Sequence, residues 1–147
     1  MINIEGKNKD LVKKIAEKYN LRLLFLFGSR VTGRIHKESD YDFGYISNRE
    51  LTLMEEGQFI IDLMPLAKAR DERLINLVNF KRAKPLLLHA ATNEAQLLYE
   101  RLPGYFANLQ ARAFRMYVEI IPLIKMKAER MGIHWKQIKP DLPARDR

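Results

Sequence analysis

Near the start of the chain, apolar residues recur at three- and four-residue spacing. Leu11, Val12, Ile15, Ala16 and Tyr19 fall on one side, with Lys13, Lys14, Glu17 and Lys18 on the other, which predicts an amphipathic helix. Asn8 is a candidate N-cap and Asn20 a candidate left-handed stop. The period then changes. Leu21-Arg22-Leu23-Leu24-Phe25-Leu26-Phe27 is an almost unbroken apolar run, too short for a separate helix and suited to a strand covered on both faces. Gly28-Ser29 ends it abruptly.

Residues 30–39 are polar and broken by Gly33, and Asp40-Tyr41-Asp42-Phe43-Gly44-Tyr45-Ile46 follows as a second strand, with a turn near Ser47-Asn48. Residues 51–68 have a helical period, with Leu53, Phe59, Ile60, Leu63 and Leu66 as inward positions; Pro65 is expected to kink or end that helix. A third strand is predicted over Leu74 to Phe80. Pro85 suits the first turn of a helix covering Leu86 to Ala91, before a short segment ending Leu97-Leu98-Tyr99. Another helix is expected over residues 105–130, after Leu102-Pro103-Gly104. It carries more apolar side chains than one side of a terminal helix on a small domain normally buries. It reads either as a core helix kinked at Pro122 or as a partner-binding helix, and the pattern leaves both open. Residues 132–147 are basic and Pro-containing and read as a loose tail. The expected architecture is α/β (α+β): a small mixed β-sheet with flanking helices, Gly28-Ser29 and Asp40/Asp42 at one end, and a long C-terminal helix. The expected division is 1–100, 101–131 and 132–147.

Composition narrows the class. A chain of 147 residues with 47% hydrophobic residues supports a packed core rather than disorder. It has no cysteine, which removes disulfide scaffolds and thiolate metal sites and fits a reducing compartment. No stretch approaches the roughly 20 apolar residues of a membrane span, and Met1-Ile2-Asn3-Ile4-Glu5 lacks the layout of a signal peptide, so a cytoplasmic protein is expected. The net charge of +8 is uneven: residues 101–147 hold ten Lys/Arg against four Asp/Glu, which is +6 of it. Such an excess attracts anions in general, whether nucleotide, RNA or an acidic partner surface, and by itself selects none.

The segment from Gly28 to Asp42 carries the chemistry. A Gly followed by a small hydroxyl residue at a strand-to-helix turn leaves backbone N–H groups facing an anion such as a triphosphate. Two Asp residues separated by one residue on a strand share a face, where they can hold a hard cation such as Mg²⁺ beside the phosphates. Tyr41 between them is expected to face the core. Each signal alone is common; their order after a strand is what gives them weight.

Gly28-Ser29-X10-Asp40-X-Asp42, with Arg30, Gly33 and Ser39, resembles the motif of the minimal nucleotidyltransferases of the polymerase-β-like superfamily. The likeness runs from about residue 10 to about residue 100. Ile75-Asn76-Leu77-Val78-Asn79-Phe80 resembles the family's third-strand pattern, and Leu97-Leu98-Tyr99 its closing segment. Short members with a C-terminal helix are the MNT antitoxins of HEPN/MNT toxin–antitoxin pairs, which use ATP to place AMP on a tyrosine of a HEPN ribonuclease. The resemblance implies that Gly28 and Ser29 hold the β- and γ-phosphates with help from Arg30. It implies that Asp40 and Asp42 bind Mg²⁺, and that a HEPN-type toxin is the partner; direct nucleic-acid binding, which charge alone would support, is not expected. The family's third carboxylate aligns with Asn76, and its usual Gly with Ala95. An amide keeps the size and an oxygen ligand but has no charge and cannot act as a base. Asp62, the nearest other acid, lies in the helical run and is expected to be solvated or salt-bridged.

Three further readings stay beside this one: a degenerate antitoxin that acts by binding alone, a small-molecule nucleotidyltransferase, and, on charge alone, an RNA-binding module. His36 reads as a loop histidine, and His89 and His134 lack a zinc pattern. Trp135 with Lys136 and Lys139 reads as an amphipathic anchor or a stacking group, and Arg112 and Arg115 as solvated or partner-facing.

Overall fold

The structure, a computed structural model, describes residues 1–33 and 40–138. Strands β1 (Leu21–Phe27), β2 (Tyr41–Ser47), β3 (Ile75–Asn79) and β4 (Gln96–Glu100) form one sheet in the order β3-β2-β1-β4. β1 is antiparallel to β2 and to β4, whereas β2 and β3 are parallel. A parallel pair needs a long crossover; helix α3, used here for Leu53–Ala67, and a 3-10 turn at Glu72–Leu74 supply it. The other helices are α1 (Lys7–Lys18), α2 (Ser29–Thr32), α4 (Pro85–Asn93) and α5 (Tyr105–Met131). This is the mixed α+β architecture expected from the hydrophobic pattern.

β1 explains the layering. Leu23 to Phe27 are all buried, and alternation sends them to two cores. Leu24 and Leu26 meet Phe43, Tyr45 and Ile75 under α1 and α3. Leu23, Phe25 and Phe27 meet Val78 and Phe80 under α4 and the start of α5. Full burial of a Leu or Phe side chain contributes about 1.5–3 kcal/mol, so this short strand anchors both layers. On the α4/α5 side the Phe25 ring lies 5.1 Å from Phe80 and 5.4 Å from Phe106. That cluster needs Gly44: a Cβ there sits 2.3 Å from Phe25 Cζ and 2.7 Å from Phe80 Cε2.

Several boundaries differ from expectation, each for a local reason. α1 starts at Lys7 after Gly6, which has φ 55° and no side-chain cap. Asn8 is therefore not the cap: it lies inside the first turn and donates its amide to the Asn3 carbonyl at 2.7 Å. Asn20 does take the left-handed conformation, with φ 53°. Leu53 is 67% exposed. It is the first residue of α3, fixed there by a reciprocal capping box between Thr52 and Glu55, and so faces water. α3 continues two residues past Pro65 and stops at Lys68 in the left-handed region. Leu74 belongs to the 3-10 turn, and Phe80 follows β3 with its N–H on the Tyr45 carbonyl. Pro85 opens α4 as expected.

The two readings of the terminal helix divide along its length. Phe106, Leu109 and Ala113 belong to the core. Farther on, Ile124 and Ala128 are buried where the 3-10 turn Trp135–Gln137 folds back on the helix. Between and beside them Phe114, Val118, Leu123 and Met126 are each more than half exposed. The helix is continuous through Pro122. Among the described residues no helix is long and apolar enough to cross a membrane.

Gly44→Ala is expected to lower stability by about 1–3 kcal/mol, the usual cost of overpacking a tight core. Urea unfolding measures this, and an unchanged midpoint contradicts the packing described for Phe25 and Phe80.

Candidate functional site

At the end of β1 the chain turns through Gly28, with φ 79° and ψ −157°. The Gly28 carbonyl accepts from the Val31 and Thr32 N–H groups at 3.0 and 3.2 Å, which closes the single turn of α2, and Gly33 ends it at φ 81°. The N–H groups of Ser29 and Arg30 precede the first bond of that turn, the position at which helix-start donors are offered to an anion. Glycine is required at 28 for two reasons. Its φ is positive, and a Cβ there lies 2.3 Å from Asp42 Oδ2.

The register brings the acids to the same place. Asp42 pairs with Phe27 on one side and with Asn76 on the other. Asp40, expected to open the second strand, lies one residue before β2 and shares the face of Asp42. The Asn76 Nδ2 group donates to Asp42 Oδ1 at 2.9 Å and to Asp40 Oδ2 at 3.2 Å. Asp40, Asp42 and Asn76 thus form one polar cluster on the α4/α5 side of the sheet, with Gly28 against it. Burial beside the aromatic core pushes the Asp42 carboxyl above the usual carboxylate range, the Asn76 hydrogen bond pulls it back, and the Asp40 charge pushes it up again. Two carboxylate oxygens and a reversible amide suit a hard divalent cation completed by phosphate and water. Among the described residues there is no group of three or more His, Asp or Glu able to hold a metal by themselves.

Other residues fall elsewhere. Tyr41 is half-buried against the α1/α3 core, and the Arg30 guanidinium carbon lies 4.2 Å from its ring centroid. The Arg30 backbone is in the Gly28 turn, while its guanidinium is on the sheet face opposite the acids. The Arg30 carbonyl accepts from the Met1 amine at 3.0 Å. The Gln96 side chain holds both the N–H and the carbonyl of Ile2, a brace near the turn that pattern reading missed because a lone Gln carries no periodic signal. Gly44 was missed for a similar reason: its φ is ordinary and only the rings around it reveal the need. Ala95 packs at the edge of the aromatic core.

Asp62 is salt-bridged to Lys18 at 2.8 Å and also accepts from Tyr19 and Gln58. Burial raises its pKa, but those hydrogen bonds outweigh burial and hold it low. It ties α1 to α3 on the far face and takes no part in the cluster. His89 stacks on Tyr117 at 4.0 Å, and burial lowers its pKa. His134 accepts from the Lys136 N–H in a local cap. Trp135 is half-buried with Lys125 and Lys136 near its ring, an amphipathic anchor, and Arg112 and Arg115 are exposed. His36, Ser39 and Lys139 lie outside the described residues.

Two substitutions probe this geometry. Gly28→Ala is expected to weaken metal–nucleotide binding by at least about tenfold, roughly 1.4 kcal/mol, because the methyl displaces Asp42; calorimetric titration reads it. Asp42 behaves as a carboxyl with a raised folded-state pKa. Its contribution to stability is present below the ordinary carboxylate pKa of about 3.9 and is lost as pH rises through the folded value. At pH 7 Asp42→Asn is therefore expected to raise Tm by a few degrees, with the gain vanishing near pH 3. A lower Tm at pH 7 contradicts the cost of burying the Asp42 charge beside Asp40.

Comparison with known proteins bears on the same residues. Residues 10–103 match the polymerase beta nucleotidyltransferase family. The protein adenylyltransferase MntA of Aphanizomenon flos-aquae (strain 2012/KM1/D3) is 31% identical over 121 residues, covering 74% of this chain and 77% of that protein. Among solved structures, a toxin–antitoxin with AMP-PNP aligns with a TM-score of 0.62 at 17% identity, covering 84% of this chain and 94% of that one. A tri-AMPylated Shewanella oneidensis HEPN toxin in complex with MNT antitoxin aligns with a TM-score of 0.57 at 15% identity, covering 84% and 92%. The structural likeness establishes the fold. With the Gly28 turn and the Asp40–Asp42 pair in the matched region, this chain belongs to the polymerase-β nucleotidyltransferase family.

Proposed function

We propose that the chain is a protein adenylyltransferase of the antitoxin kind, acting in the cytoplasm, which moves AMP from Mg-ATP to a tyrosine of a HEPN-type toxin and so silences it. The observation that carries this reading is the meeting of Gly28, Asp40, Asp42 and Asn76 at one end of the sheet, in a chain with a relative named for protein adenylylation. Residues 1–100 are assigned to the nucleotidyltransferase unit, 101–131 to a helix that packs and meets the partner, and 132–147 to a basic tail.

The roles follow from position. The Ser29 and Arg30 N–H groups at the Gly28 turn bind the β- and γ-phosphates. Asp40 and Asp42 would hold Mg²⁺ through their carboxylates, and Asn76 would be placed to add its carbonyl oxygen. When bound, Mg²⁺ neutralises charge on the α-phosphate and on the departing pyrophosphate. The acceptor oxygen forms a bond to the α-phosphorus as the bond from that phosphorus to the α–β bridging oxygen breaks. Its electron pair leaves with pyrophosphate, and the acceptor proton goes to solvent. No base stands at position 76 to take it. A phenol, with a pKa near 10, gives up that proton far more readily than an alkyl hydroxyl, which favours tyrosine as acceptor.

A second reading keeps the complex without the transfer. Asn76 in place of an acid favours it, as do the exposed Phe114, Val118, Leu123 and Met126 on α5, which offer apolar surface for a partner.

The test is co-expression with the protein encoded beside this one, followed by the intact mass of that partner. AMP increments that fall by about 10²-fold or more in Asp40→Ala and Asp42→Ala, a typical loss when transition-state charge stabilisation is removed, are the expected result. Asn76→Asp is expected to raise the transfer rate by about tenfold or more, since a positioned base contributes roughly 10²–10⁴. A stable complex with an unmodified partner selects the second reading, and a partner that neither binds nor changes mass excludes both.

A further inference from the structure

Asn76 is the member of the cluster that donates where its neighbours accept. Its Nδ2 group reaches Asp42 Oδ1 at 2.9 Å and Asp40 Oδ2 at 3.2 Å, so one amide joins both carboxylates. A divalent cation shared by those oxygens needs the space and the lone pairs that these N–H groups use. The backbone has little freedom to yield. Asn76 is in register with Asp42 in the parallel ladder, and Ile75 beside it is fully buried. The terminal torsion of an Asn side chain is soft and roughly two-fold, however, and a half turn replaces Nδ2 with Oδ1.

We propose that Asn76 is a rotating latch: its N–H face clamps Asp40 to Asp42, and the site takes up its cation by turning the carbonyl face of the same amide toward them. This rests on the metal–nucleotide reading of the site. Two charge-assisted hydrogen bonds, the strong class, must be given up for the cation to enter, and the incoming ligand oxygen is neutral. A cation alone therefore binds weakly, and the triphosphate supplies the remaining attraction. An Asp at this position has no N–H face. Its charge opposes the other two carboxylates until a cation arrives and then adds to their pull.

The test uses the full ¹⁵N-labelled chain after treatment with a chelator. The side-chain amide pair missing from the spectrum of Asn76→Asp identifies Asn76. Mg²⁺ is then added with an ATP analogue carrying a methylene bridge between the α- and β-phosphates. The expected result is that the Asn76 pair shifts and exchanges faster with solvent as the Gly28 and Ser29 backbone amides move. If Gly28 and Ser29 move while the Asn76 pair does not, the latch is overturned and the nucleotide site stands. If none of them moves at millimolar analogue, the nucleotide reading fails and the latch with it. Independently, Mn²⁺ alone, followed by electron paramagnetic resonance, is expected to bind Asn76→Asp at least tenfold more tightly than the native chain. Equal affinities overturn the proposal.

Discussion

Like charges on neighbouring same-face positions of a strand repel, and the Gly28 end of this sheet is organised around holding two of them together. Asp40 and Asp42 each place an oxygen within bonding reach of one nitrogen, so those oxygens are at most about 6 Å apart. Unit charges at that distance oppose each other by about 3 kcal/mol at an effective dielectric near 20. Two hydrogen bonds to charged acceptors, at about 1.5–3 kcal/mol each, are enough to offset this. The apolar neighbourhood works the other way by desolvating Asp42. The balance depends on the small parts around it: a residue without a side chain at 28, and an amide at 76 that is held in register by β3.

The scaffold that makes such a balance possible is β1. Its alternating side chains feed both cores, so the strand that ends at Gly28 is fixed from two sides. Sites carried on rigid elements hold their geometry better than sites on loops. The aromatic cluster of Phe25, Phe27, Phe80 and Phe106 extends that rigidity toward Asp42, and Gly44 is the residue that lets the rings close. α5 begins in the same cluster and leaves it, which is why its first turns are core and its later ones carry apolar side chains into solvent.

Much of this could be read from sequence where a pattern repeats or a motif keeps its spacing. The β1 run, the left-handed Asn20, Pro85 at the head of α4 and the Gly28 to Asp42 segment all carry local signals. What was not legible depends on partners distant in the chain. Asn76 could be recognised as a missing charge, but that its amide spans both acids depends on parallel pairing between strands about thirty residues apart in sequence. The Gly44 requirement exists only once Phe25 and Phe80 converge on it. Leu53 and Asn8 misled for a smaller reason. Helix ends are set by caps and turns rather than by apolar period, and one residue's shift changes which way a side chain points. Arg30 looked like a phosphate ligand from its place in the motif, and the ring of Tyr41 gave its guanidinium a seat across the strand.

The mixed sheet has a consequence for how the molecule matures. The cluster draws residues from the end of β1, the start of β2 and the start of β3, so none of these strands builds it alone. Slipping β2 by one residue turns every side chain on it to the other face, carrying Asp42 into the apolar layer and Tyr41 out. A chain that has collapsed with the wrong pairing therefore has no place for its ligand. Whatever binds here binds only the correctly paired state, and mass action adds to that state's stability in proportion to the logarithm of ligand concentration above its Kd. A ligand held by Asp40, Asp42 and Asn76 would therefore favour the one register that assembles them.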